Sequence, residues 1–113
     1  MTLQEVKTIL DAKVLCEEQH LDNEVLSAFA CDFMSDVLAY AHNQPLLLTG
    51  LVNPQVIRTA EMMDVPCIVF VRGKKPDETM MELAVERGIV LMSTTKTMYL
   101  SSGLLYTKGL QGG

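Results

Sequence analysis

The order of patterned segments after residue 44 constrains the fold of this chain more than any other feature of its sequence. Short apolar runs of strand length alternate there with amphipathic stretches of helix length, and only a few residues connect each segment to the next. Two consecutive strand–helix–strand units need right-handed crossovers, so the strands are predicted to run parallel. The strands are expected at 46–49, 65–71 and 89–92, and the helices from Pro54, at 78–87 and at about 96–107.

The residues before 44 add a helix and further strands to this pattern. Thr2 and Glu5 have the spacing of a capping box, which predicts a first helix over 3–11. Strands are expected at 13–18 and 25–31, and a helix at 33–42. The chain of 113 residues has the size of one domain. We therefore predict a single three-layer α/β domain over 1–113, with a largely parallel central sheet of about four or five strands flanked by helices, and a flexible tail at 109–113.

Composition limits the classes of function. A formal net charge of −5 and a pI near 4.9 argue against binding along DNA or RNA, which needs a clustered basic face. The apolar runs are far shorter than the roughly 20 residues of a membrane-spanning helix, and the N-terminus lacks the pattern of a secretory signal. We expect a soluble, cytoplasmic protein that binds neither nucleic acid nor membrane.

The three cysteines and two histidines offer no metal or disulfide pattern. Cys16, Cys31 and Cys67 are far apart and lie in apolar surroundings, and His20 and His42 have no second ligand at helical or turn spacing. The cysteines are predicted to be small core residues. We expect no metal and no cofactor.

Polar residues and glycines follow the predicted strands at the point where each strand ends. Because the carboxyl ends of parallel strands meet at one edge of a sheet, these residues are expected to share a crevice in which helix N-termini offer free amides to an anion. The candidate ligand-binding residues are Asp32, Thr49, Gly50, Asn53, Arg72, Gly73, Lys74, Ser93, Thr94 and Thr95.

Each group of candidates also has a structural interpretation, and the sequence leaves both open. Asp32 can cap the helix that follows it, and Gly50 can serve only a tight strand-to-helix turn. The hydroxyl run 93–95 can cap the last helix rather than bind a phosphate or a carboxylate. The basic run 72–75 can be a solvated loop.

Two stretches, "CDFMSDVLAYA" and "LLLTGLVNPQVIRTAEMMDVPCIVFV", resemble the DRTGG domain family, and the likeness covers essentially the whole chain. Asp32, Thr49 and Gly50 match the Asp, the Thr and the first Gly of the family signature. Phe33 stands in place of its Arg, and Leu51 stands in place of its second Gly. The change at Phe33 removes the charged residue nearest Asp32, so we expect a weakened polar site.

The resemblance implies a regulatory rather than a catalytic role. It implies a module like those in phosphotransacetylases and in pyrophosphatases that carry CBS domains, with a fold similar to the N-terminal domain of HPr kinase/phosphorylase. The residues themselves argue in the same direction. The segment "VRGKKPDE" lacks the first Gly, the spacing and the hydroxyl of a phosphate-binding loop, so kinase activity is not expected.

The last predicted helix suggests a contact surface. Gly103 falls in its middle, at a cost of about 1 kcal/mol relative to Ala that close packing against another backbone would explain. Tyr99 and Tyr106 lie about one turn to either side of it. We therefore expect a homodimeric, non-catalytic module that senses a small anion or nucleotide or docks a partner protein. The alternatives are an enzyme that acts on a phosphorylated metabolite, with Asp32 as acid or base, and a purely structural dimerisation domain.

Overall fold

The computed structural model describes residues 1–112, which form five α-helices, a short 3-10 helix and five strands. The helices are α1 (Leu3–Leu10), α2 (Met34–Tyr40), α3 (Pro54–Met62), α4 (Glu78–Arg87) and α5 (Met98–Thr107). The strands are β1 (Lys13–Cys16), β2 (Ser27–Ala30), β3 (Pro45–Thr49), β4 (Cys67–Phe70) and β5 (Val90–Ser93), and the 3-10 helix is Glu18–His20. Within residues 1–112, no helix has both the length and the apolar character needed to cross a membrane.

The strands form one sheet in the order β1-β5-β4-β3-β2. The strands β2, β3, β4 and β5 are parallel, and β1 pairs with β5 in the antiparallel direction at one edge. The parallel strands follow one another in chain order, so each right-handed crossover carries its helix to the same face. The prediction of a largely parallel sheet is confirmed, and Thr49, Phe70 and Ser93 lie side by side in register.

Helices cover both faces of the sheet and complete the three predicted layers. On one face α3 packs against both α2 and α4, and on the other face α1 packs against α5. Successive side chains of a strand point to opposite faces. Leu46 and Leu48 therefore join the core under α1 and α5, whereas Leu47 and Ile68 join the core under α2, α3 and α4. The strands β3, β4 and β5 are buried throughout, as parallel strands covered on both sides should be.

Three helix starts have side-chain caps, and the first of them is the capping box that the sequence predicts. Thr2 and Glu5 form the capping box of α1. At the start of α3, Asn53 Oδ1 accepts a hydrogen bond from the Gln55 N–H at 2.8 Å. The side chain of Asp77 caps α4 in the same way. These side chains satisfy amides of the first helical turn, which have no partner within the helix.

Two other helix starts differ from the prediction. The N-cap position of α2 is occupied by Phe33, without a side-chain hydrogen bond, rather than by Asp32. The cap of α5 is Thr97, which accepts a hydrogen bond from the Leu100 N–H at 3.3 Å, rather than the hydroxyls of 93–95. In both cases the polar side chains expected to cap the helix are engaged elsewhere, as described below.

The sequence suggests a flexible tail at 109–113, whereas residues 110–112 contact the rest of the domain. Leu110 is buried, and the Ala28 N–H donates to the Gln111 carbonyl at 2.9 Å. Gly112 forms an isolated bridge with Ala28. The segment therefore lies along the outer edge of β2. Gly113, the last residue of the expected tail, lies outside the described residues.

Candidate functional site

The carboxyl ends of β2, β3, β4 and β5 lie beside one another along one edge of the sheet. Because the order of these strands in the sheet follows their order in the chain, the loops that leave them are also neighbours. Asp32 comes just after β2, Gly50 just after β3 and Arg72 just after β4. The structure thus brings together an acid, a glycine and a base from three separate loops.

Asp32 joins the end of β2 to the end of β3. Its Oδ1 atom accepts hydrogen bonds from the Gly50 N–H at 2.7 Å and from the Thr49 hydroxyl at 3.2 Å. Thr49 is buried, and its Oγ1 accepts in turn from the Leu51 N–H at 3.2 Å. The carboxylate therefore organises the turn between β3 and α3, and the interpretation of Asp32 as the cap of α2 is wrong.

The second carboxylate oxygen of Asp32 faces a guanidinium group. Arg72 Nη2 lies 3.6 Å from Asp32 Oδ2, and the two side chains are 42% and 41% exposed. An ion pair this open to solvent contributes under about 1 kcal/mol to stability. Its distance also exceeds the roughly 2.7–2.9 Å of a charge-assisted hydrogen bond. The ion pair therefore leaves the guanidinium partly exposed to solvent.

The backbone of Arg72 has a left-handed conformation that its neighbours hold in place. The φ angle of Arg72 is +59°, and that of Gly73 is +70°. The Arg72 N–H donates to the Lys96 carbonyl at 2.8 Å, and the Gly73 N–H donates to the Thr94 carbonyl at 2.9 Å. A positive φ is uncommon outside glycine and persists where surrounding contacts enforce it. Here the turn leaves the Arg72 side chain across the end of β3.

The Arg72 guanidinium lies beside the backbone of Gly50, directly after β3. A Cβ atom at this position would lie 2.0 Å from Arg72 Nη2 and 2.7 Å from Arg72 Cζ. An added Cβ would therefore displace the end of the Arg72 side chain from its position beside Asp32.

Arg72 provides a positive charge beside Asp32 that position 33 does not provide in this chain. The signature described above has Arg directly after its Asp, and this chain has Phe33 there. The fold nevertheless places the Arg72 guanidinium 3.6 Å from the same carboxylate, from a strand two positions away in the sheet. Asp32 therefore has a charged partner despite the change at Phe33, and that partner comes from a loop that is distant in the sequence.

The hydroxyls at the end of β5 are used by the fold. The Ser93 hydroxyl donates to the Lys74 carbonyl, and the Thr94 hydroxyl donates to the Leu10 carbonyl, each at 2.8 Å. Both residues are buried, whereas Thr95 is exposed. The run 93–95 therefore neither caps α5 nor presents three hydroxyls to an anion, because two of them hold neighbouring loops together.

The remaining candidates at this edge have different roles. The Asn53 side chain caps α3. Gly73 continues the left-handed turn at Arg72, and an added Cβ there would meet open space. Lys74 and Lys75 are exposed on the loop between β4 and α4. The two lysines extend the positive charge of Arg72 along this loop.

Two cysteines and both histidines lie at the other end of the sheet, where the parallel strands begin. Cys67 begins β4 and His42 precedes β3, whereas Cys16 ends the antiparallel β1 and His20 follows it. Burial raises the pKa of the Cys67 thiol and also that of Cys16, so both thiols stay protonated near neutral pH. Within residues 1–112, no three His, Cys, Asp or Glu side chains gather as they would around a metal ion.

A second candidate surface lies on α5. Tyr99 is 91% exposed and Tyr106 is 61% exposed. Gly103 lies between them, and an added Cβ there would meet no atom within 4 Å. The three residues line a shallow groove of about 490 Å³. No contact within residues 1–112 therefore accounts for a glycine in the middle of this helix.

Comparisons with known proteins agree with this description of the chain. A family model described as DRTGG domain matches residues 5–106. No curated protein matches the sequence. Among solved structures, the chain is similar to the CBS and DRTGG domains of the regulatory region of the Clostridium perfringens pyrophosphatase, complexed with its activator diadenosine tetraphosphate. The TM-score is 0.72 at 15% sequence identity, over 92% of this chain and 45% of that chain. At this identity the likeness shows a shared fold, and the chain spans less than half the length of its neighbour.

Proposed function

Because the chain belongs to the DRTGG domain family, we propose that it is a non-catalytic regulatory module that senses a small anion. The binding site is the strand-end cluster, which we define as Asp32, Thr49, Gly50 and Arg72. The observation that carries this proposal is the Arg72 guanidinium, which is 42% exposed and stands 3.6 Å from its acidic partner.

The strand-end cluster suits a phosphate or a carboxylate. A guanidinium presents a planar fork of N–H donors that matches these groups and binds them through two parallel hydrogen bonds. The left-handed turn at Arg72 fixes the backbone, and Gly50 leaves room for the fork. The exposed Lys74 adds a second positive charge on the same loop. In a chain of net charge −5, such a local group of cations is what an anion would need to bind.

A non-catalytic role is supported by what surrounds the cluster. Asp32 Oδ1 already accepts two hydrogen bonds from the protein, so the carboxylate has a structural task. His20 and His42, the usual general bases near neutral pH, lie at the opposite edge of the sheet. The structural neighbour in the Clostridium perfringens pyrophosphatase is part of a regulatory region complexed with an activator. That activator is a nucleotide, which supports a nucleotide as a ligand of this chain.

We also propose a cytoplasmic location. Cys16, Cys31 and Cys67 are all free thiols in the structure. Free thiols persist in the reducing cytoplasm, whereas oxidising compartments favour disulfides. The three thiols therefore support this location.

A thermal-shift screen tests the proposed function. We expect inorganic tripolyphosphate, ATP or diadenosine tetraphosphate to raise the melting temperature, because a ligand at 100 times its dissociation constant stabilises the folded chain by about 2.7 kcal/mol. Sodium chloride at the same ionic strength is the control for unspecific screening of the negative charge. The proposal is overturned if none of these anions, nor any other nucleotide or phosphorylated metabolite in the screen, shifts the melting temperature beyond the salt control.

We propose in addition that the face of α5 joins two copies of the chain. Its groove is centred on Gly103, which allows a second backbone to approach closely, and Tyr99 and Tyr106 flank it. In a two-fold dimer of antiparallel α5 helices, Tyr99 of one copy would lie near Tyr106 of the other. The sequence of α5 contains no charged residue, so two chains of net charge −5 can meet there without facing like charges.

Sedimentation velocity tests the dimer. We expect the chain to sediment as a dimer and Tyr99→Glu to sediment as a monomer, because the substitution places one carboxylate in each half of the interface. Tyr40→Glu is the matched control, since Tyr40 is also an exposed aromatic residue, at 65%, but lies on α2. A wild-type chain that remains monomeric at high concentration, or a Tyr99→Glu variant that remains dimeric, contradicts this interface.

A further inference from the structure

We infer, on the basis of the proposed anion site, that the anion is a nucleotide and that its base stacks on the ring of Phe33. The juxtaposition behind this assignment is an exposed aromatic residue directly after Asp32, whose carboxylate lies 3.6 Å from the Arg72 guanidinium. Phe33 thus becomes a residue that determines specificity, and the strand-end cluster holds the sugar and the phosphate.

Folding does not account for the exposure of Phe33. The side chain is 69% exposed, so little of its apolar surface is removed from water. Phe33 also occupies the N-cap position of α2, where it makes no capping hydrogen bond. Ser, Asp or Asn at this position would stabilise the helix. A flat aromatic ring in the place of a cap is better explained by a ligand.

The backbone contacts of Phe33 hold the residue at the strand end. The Phe33 N–H donates to Cys31 Sγ at 3.3 Å, and the Cys31 thiol donates to the Phe33 carbonyl at 3.6 Å. The preceding residue, Asp32, is tied to the Gly50 N–H at 2.7 Å. The residue that carries the ring is therefore anchored on both sides, which reduces the ordering cost of stacking.

The separation of the strand ends suits one nucleoside phosphate. Neighbouring strands lie about 4.8 Å apart, so the ends of β2 and β4, two strands apart, are separated by roughly 10 Å. A base on Phe33 would leave the ribose hydroxyls near Asp32 Oδ2, which accepts no hydrogen bond from Thr49 or Gly50. The phosphate would then reach the Arg72 guanidinium, which spreads over Gly50.

Calorimetric titration with ATP and with inorganic tripolyphosphate, both without metal ions, tests the assignment. The two probes share a triphosphate chain, and only ATP has a base and a ribose. Stacking of one base on an aromatic side chain corresponds to about a 5- to 150-fold gain in affinity. We expect ATP to bind more tightly than tripolyphosphate, and Phe33→Ala to lower the affinity for ATP by a factor in this range while it leaves the affinity for tripolyphosphate unchanged. Phe33→Trp should retain the preference for ATP.

The control variant is Tyr40→Ala, which removes another exposed ring, also at an end of α2, far from the cluster. It should bind both probes as the wild-type chain does. Equal affinity of the wild-type chain for the two probes, or a preference for ATP that Phe33→Ala leaves unchanged, overturns the role of Phe33 while the anion site stands. If neither probe binds and the wider screen also finds no ligand, the proposed function itself fails.

Discussion

Replacing Arg72 by Gln is expected to weaken the binding of tripolyphosphate by roughly 10- to 150-fold. A hydrogen bond to a charged group contributes about 1.5–3 kcal/mol, and Arg72 is the residue whose N–H donors face the open side of the cluster. Glutamine keeps much of the length of the side chain but loses the charge and the planar fork. Calorimetric titration at constant ionic strength measures the change. The stability of the chain should change by under about 1 kcal/mol, because the ion pair with Asp32 is exposed.

Arg58→Gln is the matched control for this prediction. Arg58 is also exposed but lies within α3, and its replacement changes the net charge of the chain by the same amount. We expect its effect on tripolyphosphate binding to be less than about two-fold, since separated surface charges are largely screened at physiological salt. Equal losses in the two variants would show that the anion responds to overall charge, and the strand-end cluster would lose its role.

Replacing Asp32 by Ala is expected to lower the free energy of unfolding by about 1–3 kcal/mol. The substitution leaves the buried Thr49 hydroxyl and the Gly50 N–H without their acceptor, and an unsatisfied polar group costs this amount. Asp32→Asn is the matched comparison, because its amide oxygen can still accept both hydrogen bonds. We expect Asp32→Asn to lose less than half as much as Asp32→Ala. Urea denaturation measures both values.

The comparison of the two Asp32 variants separates the contribution of the hydrogen bonds to Thr49 and Gly50 from that of the ion pair with Arg72. If Asp32→Ala is as stable as the wild-type chain, the carboxylate does not organise the turn between β3 and α3. If Asp32→Asn is as unstable as Asp32→Ala, the ion pair with Arg72 matters more than its exposure indicates. Either result would require a different account of the strand-end cluster.

Much of the fold could be predicted from the sequence because its signals are local. The buried runs and the caps at Thr2, Asn53 and Asp77 each depend on a few adjacent residues. Right-handed crossovers then make β3, β4 and β5 parallel. The order of the strands and the antiparallel pairing of β1 with β5 could not be predicted, because they depend on contacts between distant segments.

The site divides in the same way. The edge that gathers Asp32, Gly50 and Arg72 follows from the parallel strands, so sequence could predict it. The use of each side chain could not be predicted, because the partner lies far away in the chain. The Thr94 hydroxyl bonds to a carbonyl 84 residues distant, and Asp32 bonds to a turn 17 and 18 residues away rather than to its own helix. The local sequence around a hydroxyl or carboxylate at a strand end is the same whether the group caps a helix, hydrogen-bonds to a distant loop or binds a ligand.

Amide NMR of the labelled chain during titration with tripolyphosphate tests the anion site most directly. We expect the largest shifts at and next to the strand-end cluster, at the amides of Gly50, Leu51 and Gly73, and we expect Arg72→Gln to remove them. A polar cavity of about 650 Å³, lined by Lys7 and Lys13 among others, lies at the outer edge of β1 and is the competing location. Shifts confined to that cavity, with the amides around Gly50 unchanged, would contradict the account.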